Sequence, residues 1–235
     1  MEVLILLLCS IIITLPSLTI DCMNKTIVEI KSIWSEKLSE KSFRWRFIYS
    51  IIILAVALYI IAKYLKFIEQ RPGFTFNDPL LLSFEAIDFT WVTFILMYGA
   101  LLIAMISMTK HPRNMLWAIQ AYSLVISMRV ITIYFMPLEA PPGIIPMEDP
   151  FIAFFGSGQT FLKDLFFSGH TATMYLLFLV SPHKKLRWVF LIITALVAAA
   201  VILQHVHYTI DVIAAPFFSY TSYRITRLIN SKKKR

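Results

Sequence analysis

Six stretches of predominantly apolar residues, at about 47–67, 89–108, 115–136, 166–182, 187–204 and 208–225, constrain this chain more than any other feature. A helix needs about 20 such residues to cross the hydrocarbon core of a bilayer. The composition agrees. Of 235 residues, 58% are hydrophobic and 15% charged, where soluble domains carry roughly 45–50% and about 25%. The expected fold is all-α: a polytopic membrane bundle of six core transmembrane helices. The first and fifth stretches are nearly free of charge. The fourth and sixth are interrupted by polar residues, and function is sought there.

A seventh apolar run, Val3 to Ile20, opens the chain. It follows Glu2 and has no Lys or Arg before Lys25, so it lacks the basic leader of a signal peptide. It fits an extra span, an interfacial segment or an atypical signal, and of these we favour an accessory membrane helix. The expected organisation is an N-terminal hydrophobic segment with an amphipathic cytoplasmic linker (1–44), a catalytic bundle (45–228) and a basic tail (229–235). The two cysteines, Cys9 and Cys22, imply neither a disulfide framework nor a thiolate metal site.

Charge orients the bundle. Basic residues gather before the first span (Lys37, Lys41, Arg44, Arg46), between the second and third (Lys110, Arg113), between the fourth and fifth (Lys184, Lys185, Arg187) and in the tail (Lys232 to Arg235). These segments alternate and therefore share one side, which the positive-inside rule makes the cytoplasm. The long loop from Pro137 to Leu165 carries Glu139, Glu148, Asp149 and Asp164 against Lys163 alone, and belongs on the other side. The net charge of +8 is thus a topology signal, and no nucleic-acid partner is expected.

Ionisable residues in or beside a span are costly and are functional candidates by default. The fourth span begins Asp164-Leu-Phe-Phe-Ser168-Gly169-His170-Thr171, and the sixth His205-Val-His207-Tyr208-Thr-Ile-Asp211. The chain runs inward from His170 and returns through a leg of about 19 residues, roughly 28 Å at helical rise. Both histidines therefore lie near the outer face. His207 and Asp211, four apart, share one helical face. Asp211 can orient the His207 imidazole and stabilise its cation while the other ring nitrogen attacks phosphorus. His170 can act as general acid and then as base. Ser168 and Gly169 sit where a helix start offers backbone N–H groups to phosphate oxygens.

Other readings compete. His205-x-His207 with Asp211 has metal-ligand chemistry, but no further clear ligand accompanies it, and no metal is assigned. His111 and His183 read as structural or solvated. Arg129 lies about seven residues inside the outer end of the third span, some 10 Å deep, and calls for a phosphate or carboxylate partner. Tyr134 belongs either to the headgroup site or to an aromatic belt. Pro216 is expected to kink the sixth span.

Three segments, Arg129-Val-Ile-Thr-Ile-Tyr134 with Pro137, Asp164 to Thr171, and His207-Tyr-Thr-Ile-Asp211-Val212, resemble in order and spacing the sphingomyelin synthase branch of the PAP2 lipid phosphatase/phosphotransferase superfamily. The likeness extends over roughly residues 45–228. It implies that His170, His207 and Asp211 form a catalytic triad on the exoplasmic or lumenal side. His207 would take a phospho-headgroup, phosphocholine or phosphoethanolamine, from a glycerophospholipid. A lipid alcohol, ceramide or diacylglycerol, would then accept it, with no metal or other cofactor required. Arg129, Tyr134, Asp164, Ser168, Gly169 and Tyr208 would serve substrate binding. A homo-oligomer is compatible with such a bundle.

The chain also departs from the phosphatase members. Their Lys-x6-Arg-Pro motif has no clear match, although Arg71-Pro72 occurs, and Val201 stands where they carry an arginine six residues before the second histidine. This favours transfer over the alternative, a PAP2-type lipid phosphatase or phospholipase C-like hydrolase with the same triad. A transporter, scramblase or channel that keeps the fold is the reading from a different class. It predicts that His170→Ala and Asp211→Asn change nothing.

Overall fold

The computed structural model describes residues 24–75, 77–148 and 160–231. The apolar run Val3 to Ile20, both cysteines, Asp149 and the tail from Lys232 lie outside the described residues. The chain divides into two compact units, Met1–Trp45 and Arg46–Arg235. The described part of the first contains helix α1 (24–39) and the opening residues of α2. Within it, Lys37 pairs with Glu40 at 2.6 Å and lies over the ring of Phe43, which is buried.

The second unit is a helical bundle made by the remainder of α2 (Lys41–Gln70), then α3 (Thr90–Met108), α4 (Pro112–Phe135), α5 (Gly169–Val180), α6 (Lys184–Leu203) and α7 (Thr209–Ser231). The described residues form no strand. A single parallel bridge, Phe74 to Leu138, joins the loops that leave α2 and α4. This is the all-α membrane bundle expected, with the six core helices close to their expected positions.

Helices α2, α3, α4 and α6 are each long and apolar enough to cross a membrane, and the protein is a multi-pass membrane protein. Helix α5 differs from expectation. The apolar stretch at 166–182 yields only 12 helical residues, about 18 Å at 1.5 Å per residue, against a hydrocarbon core of about 30 Å. The first residues of that stretch are spent elsewhere. The carbonyls of Phe166 and Phe167 accept hydrogen bonds from Thr132 and Arg129 of α4, and the helix starts only where Ser168 caps it. Helix α7 is long enough, at 23 residues, but carries Asp211, Arg224 and Arg227 and a buried row of Ser219, Ser222 and Thr226. It continues through Pro216.

The core forms around α5, which packs against α4, α6 and α7 and touches α3. Ala172 and Met174 of α5 meet Phe94 of α3, Ala121 and Val125 of α4, Phe190 and Val197 of α6, and Ala215 of α7, all but inaccessible. Small side chains at these crossings let backbones approach, as helix packing in lipid requires. Helix α2 is the opposite case: only 11% of its apolar window is buried, against 28–39% in the other three. From Arg46 onward it is tied to the bundle by polar contacts at its ends. Arg46 and Ser50 reach Asn230 and Gln120 at one end. At the other, Arg71 donates to the Tyr134 carbonyl.

Candidate active site

Three elements meet where the sequence placed its ionisable residues. The capped start of α5 brings His170, the turn before α7 brings His207, and the first turn of α7 brings Asp211. The two imidazoles, 37 positions apart in sequence, lie with ring centroids 6.1 Å apart at an interplanar angle of 64°. His207 is 2% exposed and Asp211 fully buried, whereas His170 is half-buried and forms the accessible side of the pair. Phe94 of α3 lies edge-on to His170 at 6.2 Å and closes one flank.

His207 Nδ1 faces Asp211 Oδ2 at 3.4 Å. A carboxylate opposite Nδ1 favours the tautomer protonated there, leaving the Nε2 lone pair as the reactive one. The same Asp211 oxygen accepts from the Tyr208 backbone N–H at 3.2 Å, while Oδ1 is buried with no hydrogen-bond partner among the described residues. Ser168 N–H donates to the Asp211 carbonyl at 3.1 Å, so the starts of α5 and α7 are bonded directly to each other. This bond fixes the spacing between His170 and the His207–Asp211 pair.

Arg129 finds a carboxylate. It is 6% exposed, forms an ion pair with Asp164 and donates to the Phe167 carbonyl at 2.9 Å. Gly169 makes this possible, because a Cβ there would lie 2.0 Å from Arg129 Nη1. The close approach that a glycine permits at this helix start is therefore made by a guanidinium. Ser168 is wholly buried and its groups are engaged. Its N–H goes to Asp211, and its hydroxyl caps Thr171 N at 3.4 Å and donates to Thr171 Oγ1 at 3.2 Å.

The other expected binding residues stand differently. Tyr208 is fully buried, its ring packed with Leu81, Leu138 and Leu165 and its hydroxyl donating to the Glu139 carbonyl at 3.2 Å. Tyr134 is 51% exposed, with the Arg71 guanidinium 5.1 Å above its ring. The structure does not bring it to the histidine pair. His205 is buried in a left-handed conformation (φ 56°), with Nδ1 3.0 Å from the Pro142 carbonyl. Among the described residues no group of three or more His, Cys, Asp or Glu side chains could hold a metal ion.

Sequence reasoning missed the supports. Asp78, in the loop after α2, caps α7 across 131 positions, accepting from Thr209 N at 2.7 Å and Thr209 Oγ1 at 3.0 Å. Burial alone would raise its pKa, but these bonds and those from the backbone N–H groups of Leu80 and Leu81 outweigh it and hold the carboxyl below its usual range. Gln204, fully buried at the end of α6, accepts from Phe89 N at 3.1 Å and donates to Thr90 Oγ1 at 2.7 Å and the Ile145 carbonyl at 3.1 Å. Lys163 bridges Glu139 and the Arg71 carbonyl, both at 2.9 Å, and its hydrogen bond is the main reason the Glu139 pKa is lowered. Glu69 accepts from the backbone of Leu162 and Lys163. None of these pairings has a local signature. A buried polar residue at the end of an apolar run, as at Gln204, is the only hint such a sequence offers.

No curated protein matches this chain significantly. Residues 163–228 match the family model described as PAP2 superfamily C-terminal. The matched segment holds Asp164, His170, His207 and Asp211 but neither Arg129 nor Asp78. It supports placement with the PAP2 superfamily and a function in lipid phosphatase or phosphotransferase-type chemistry on phosphate esters.

Proposed function

We propose that the protein is a lipid phosphotransferase, moving phosphocholine or phosphoethanolamine from a glycerophospholipid to ceramide or diacylglycerol at the exoplasmic or lumenal face. The observation that carries this reading is the meeting of two imidazoles and a buried carboxylate at one spot, with Nδ1 of His207 turned to Asp211. In the first half-reaction, His207 Nε2 attacks phosphorus and forms an N–P bond. The P–O bond to the diacylglycerol breaks, and His170 gives its proton to the departing alkoxide. Asp211 balances the positive charge that develops on the His207 ring. In the second, neutral His170 takes the proton of the acceptor hydroxyl, whose oxygen attacks phosphorus. The N–P bond breaks and His207 is regenerated.

Arg129 is held within this site by Asp164 and the Phe167 carbonyl. It supplies positive charge beside the α5 start, where phosphate oxygens would be drawn. The absence of an arginine at Val201 favours transfer over hydrolysis. Incubating purified protein with labelled phosphatidylcholine and either ceramide or diacylglycerol tests the proposal. A labelled lipid product supports transfer. Release of water-soluble phosphocholine or phosphate without a lipid product assigns the same triad to hydrolysis.

A further inference from the structure

The end of the bundle away from the triad has a different charge problem. Between residues 46 and 231 no Asp or Glu lies there. None occurs between Asp88 and Glu139, between Asp164 and Asp211, or after Asp211, so α4, α5 and α6 contain no acid and α7 contains one only in its first turn. At this end Arg113, in the first turn of α4, places its guanidinium 4.6 Å from the Trp117 ring centroid. Arg227, near the end of α7, lies 5.7 Å from the same ring. Arg227 also lies 5.8 Å from the ring of Tyr223, which meets Trp117 edge-on at 6.5 Å. Both arginines are exposed. Neither forms an ion pair or hydrogen bond with a described side chain.

We propose that Arg113 and Arg227, seated on Trp117, form a phosphate-binding site at this end of the bundle. Three observations converge on an anion. First, two guanidiniums from different helices gather at one ring, and neither pairs with a carboxylate of residues 46–231. Second, Arg113 stands where a cation is disfavoured. The N-terminus of a helix carries partial positive charge and attracts anions, and α4, 24 residues long, begins with no acidic residue in its first turn and no side-chain cap. Third, a cation–π contact engages a guanidinium through its charge and consumes none of the N–H donors along its edge. A bidentate bond to phosphate uses that edge.

Arg224 also lies over a ring, that of Tyr220 at 6.0 Å, but no second guanidinium shares that ring, and the other basic residues differ further. Arg187 donates to the Phe178 carbonyl at 3.2 Å and lies over that ring. Lys184 and Lys185 are point charges at the exposed start of α6. The site lies at a helix end of a membrane protein, so its phosphate comes from an anionic lipid headgroup or from a soluble ester. The chemistry of recognition is the same for both.

The full-length protein in detergent is titrated with phosphatidic acid, with phosphatidylcholine and, separately, with inorganic phosphate, and the bound species are counted by native mass spectrometry. The expected result is preferential retention of phosphatidic acid, weakened about 30-fold in Arg113→Gln/Arg227→Gln, equivalent to ~2 kcal/mol at ~1 kcal/mol per arginine. Lys184→Gln/Lys185→Gln carries the same charge change and is expected to bind like the wild type. Arg113→Lys/Arg227→Lys keeps the charge, loses the bidentate edge and is expected to fall between. Retention of inorganic phosphate by the wild type and its loss in the arginine pair would assign the same site to a soluble ester. Equal weakening by the lysine and arginine pairs, or no preference over phosphatidylcholine, would overturn the proposal. An unchanged thermal midpoint separates lost binding from lost folding.

Discussion

The two ends of this bundle solve opposite electrostatic problems. At the triad end the acids beside the helix starts are held by partners, Asp164 by Arg129, Glu139 by Lys163, Asp78 by Thr209, and Asp211 by His207 and the Tyr208 N–H, while Glu85 and Glu148 stand exposed in the loops. At the other end cations accumulate without a carboxylate in residues 46–231. Buried charge is tolerated only where partners hold it, so the first end is rigid and specific. The second is exposed, and the guanidiniums of Arg113 and Arg227, which form no ion pair with a described side chain, are suited to an external anion. A partner lost at the triad end should therefore be costly, and one lost at the other end cheap.

The largest expected effect falls on the histidines. His207→Ala should abolish turnover, and His170→Ala should lower it by about 10²–10⁴, the usual worth of a general acid–base group. Activity assays on purified variants of normal expression check both. Unchanged function in His170→Ala and Asp211→Asn would instead favour a transporter or scramblase that keeps the fold.

Next comes the Arg129 cradle. Gly169→Ala puts a methyl group where the guanidinium stands, and should cost activity at least about tenfold. In an Arg129→Ala background it should cost little more, because both changes remove one interaction. A double-mutant cycle on kcat/KM reads this directly. Additive losses would show that Gly169 acts independently of Arg129.

The supports should matter for stability. Asp78→Ala removes the cap of α7 and leaves the Thr209 N–H without its acceptor, a loss of about 1–2 kcal/mol read as a lower thermal midpoint. Asp78 and Glu139 also set the response to acid. Both have folded pKa values below their unfolded ones. Their contribution is therefore complete above the unfolded pKa, about 4, and is lost as pH falls through the folded values. Glu139→Gln should flatten that acid limb in thermal melts recorded from neutral pH downward. The smallest effect belongs to the far end. Lys184→Gln should leave stability within about 0.5 kcal/mol and turnover unchanged.

How much of this could be read from the chain follows from the range of each interaction. The helices were legible because their apolar length is a local property. The His207–Asp211 pair was legible from its short spacing, but not as two positions on one helical face: His207 precedes the helix, and Asp211 in its first turn reaches back to the His207 ring and the Tyr208 N–H. Even the approach of His170 to His207 followed from counting rise along two neighbouring legs. The shortness of α5 was not legible, since Phe166 and Phe167 are as apolar as any spanning residue. Only contact with Arg129 and Thr132 diverts their carbonyls. Tyr208 read as a binding residue because of its motif neighbours, yet its hydroxyl is occupied by Glu139. Asp78 was missed because nothing near Asn77-Asp78-Pro79 announces a helix start 131 positions away.

The central claim is that His207 carries the phospho-headgroup between two lipids. Its most direct test is to quench purified protein with phosphatidylcholine labelled in the choline and phosphate moieties, before acceptor is added, and to map the label on the chain. The account predicts acid-labile label on His207, absent from His207→Ala and discharged into lipid product when ceramide or diacylglycerol is supplied. Transfer at the wild-type rate by His207→Ala would contradict it.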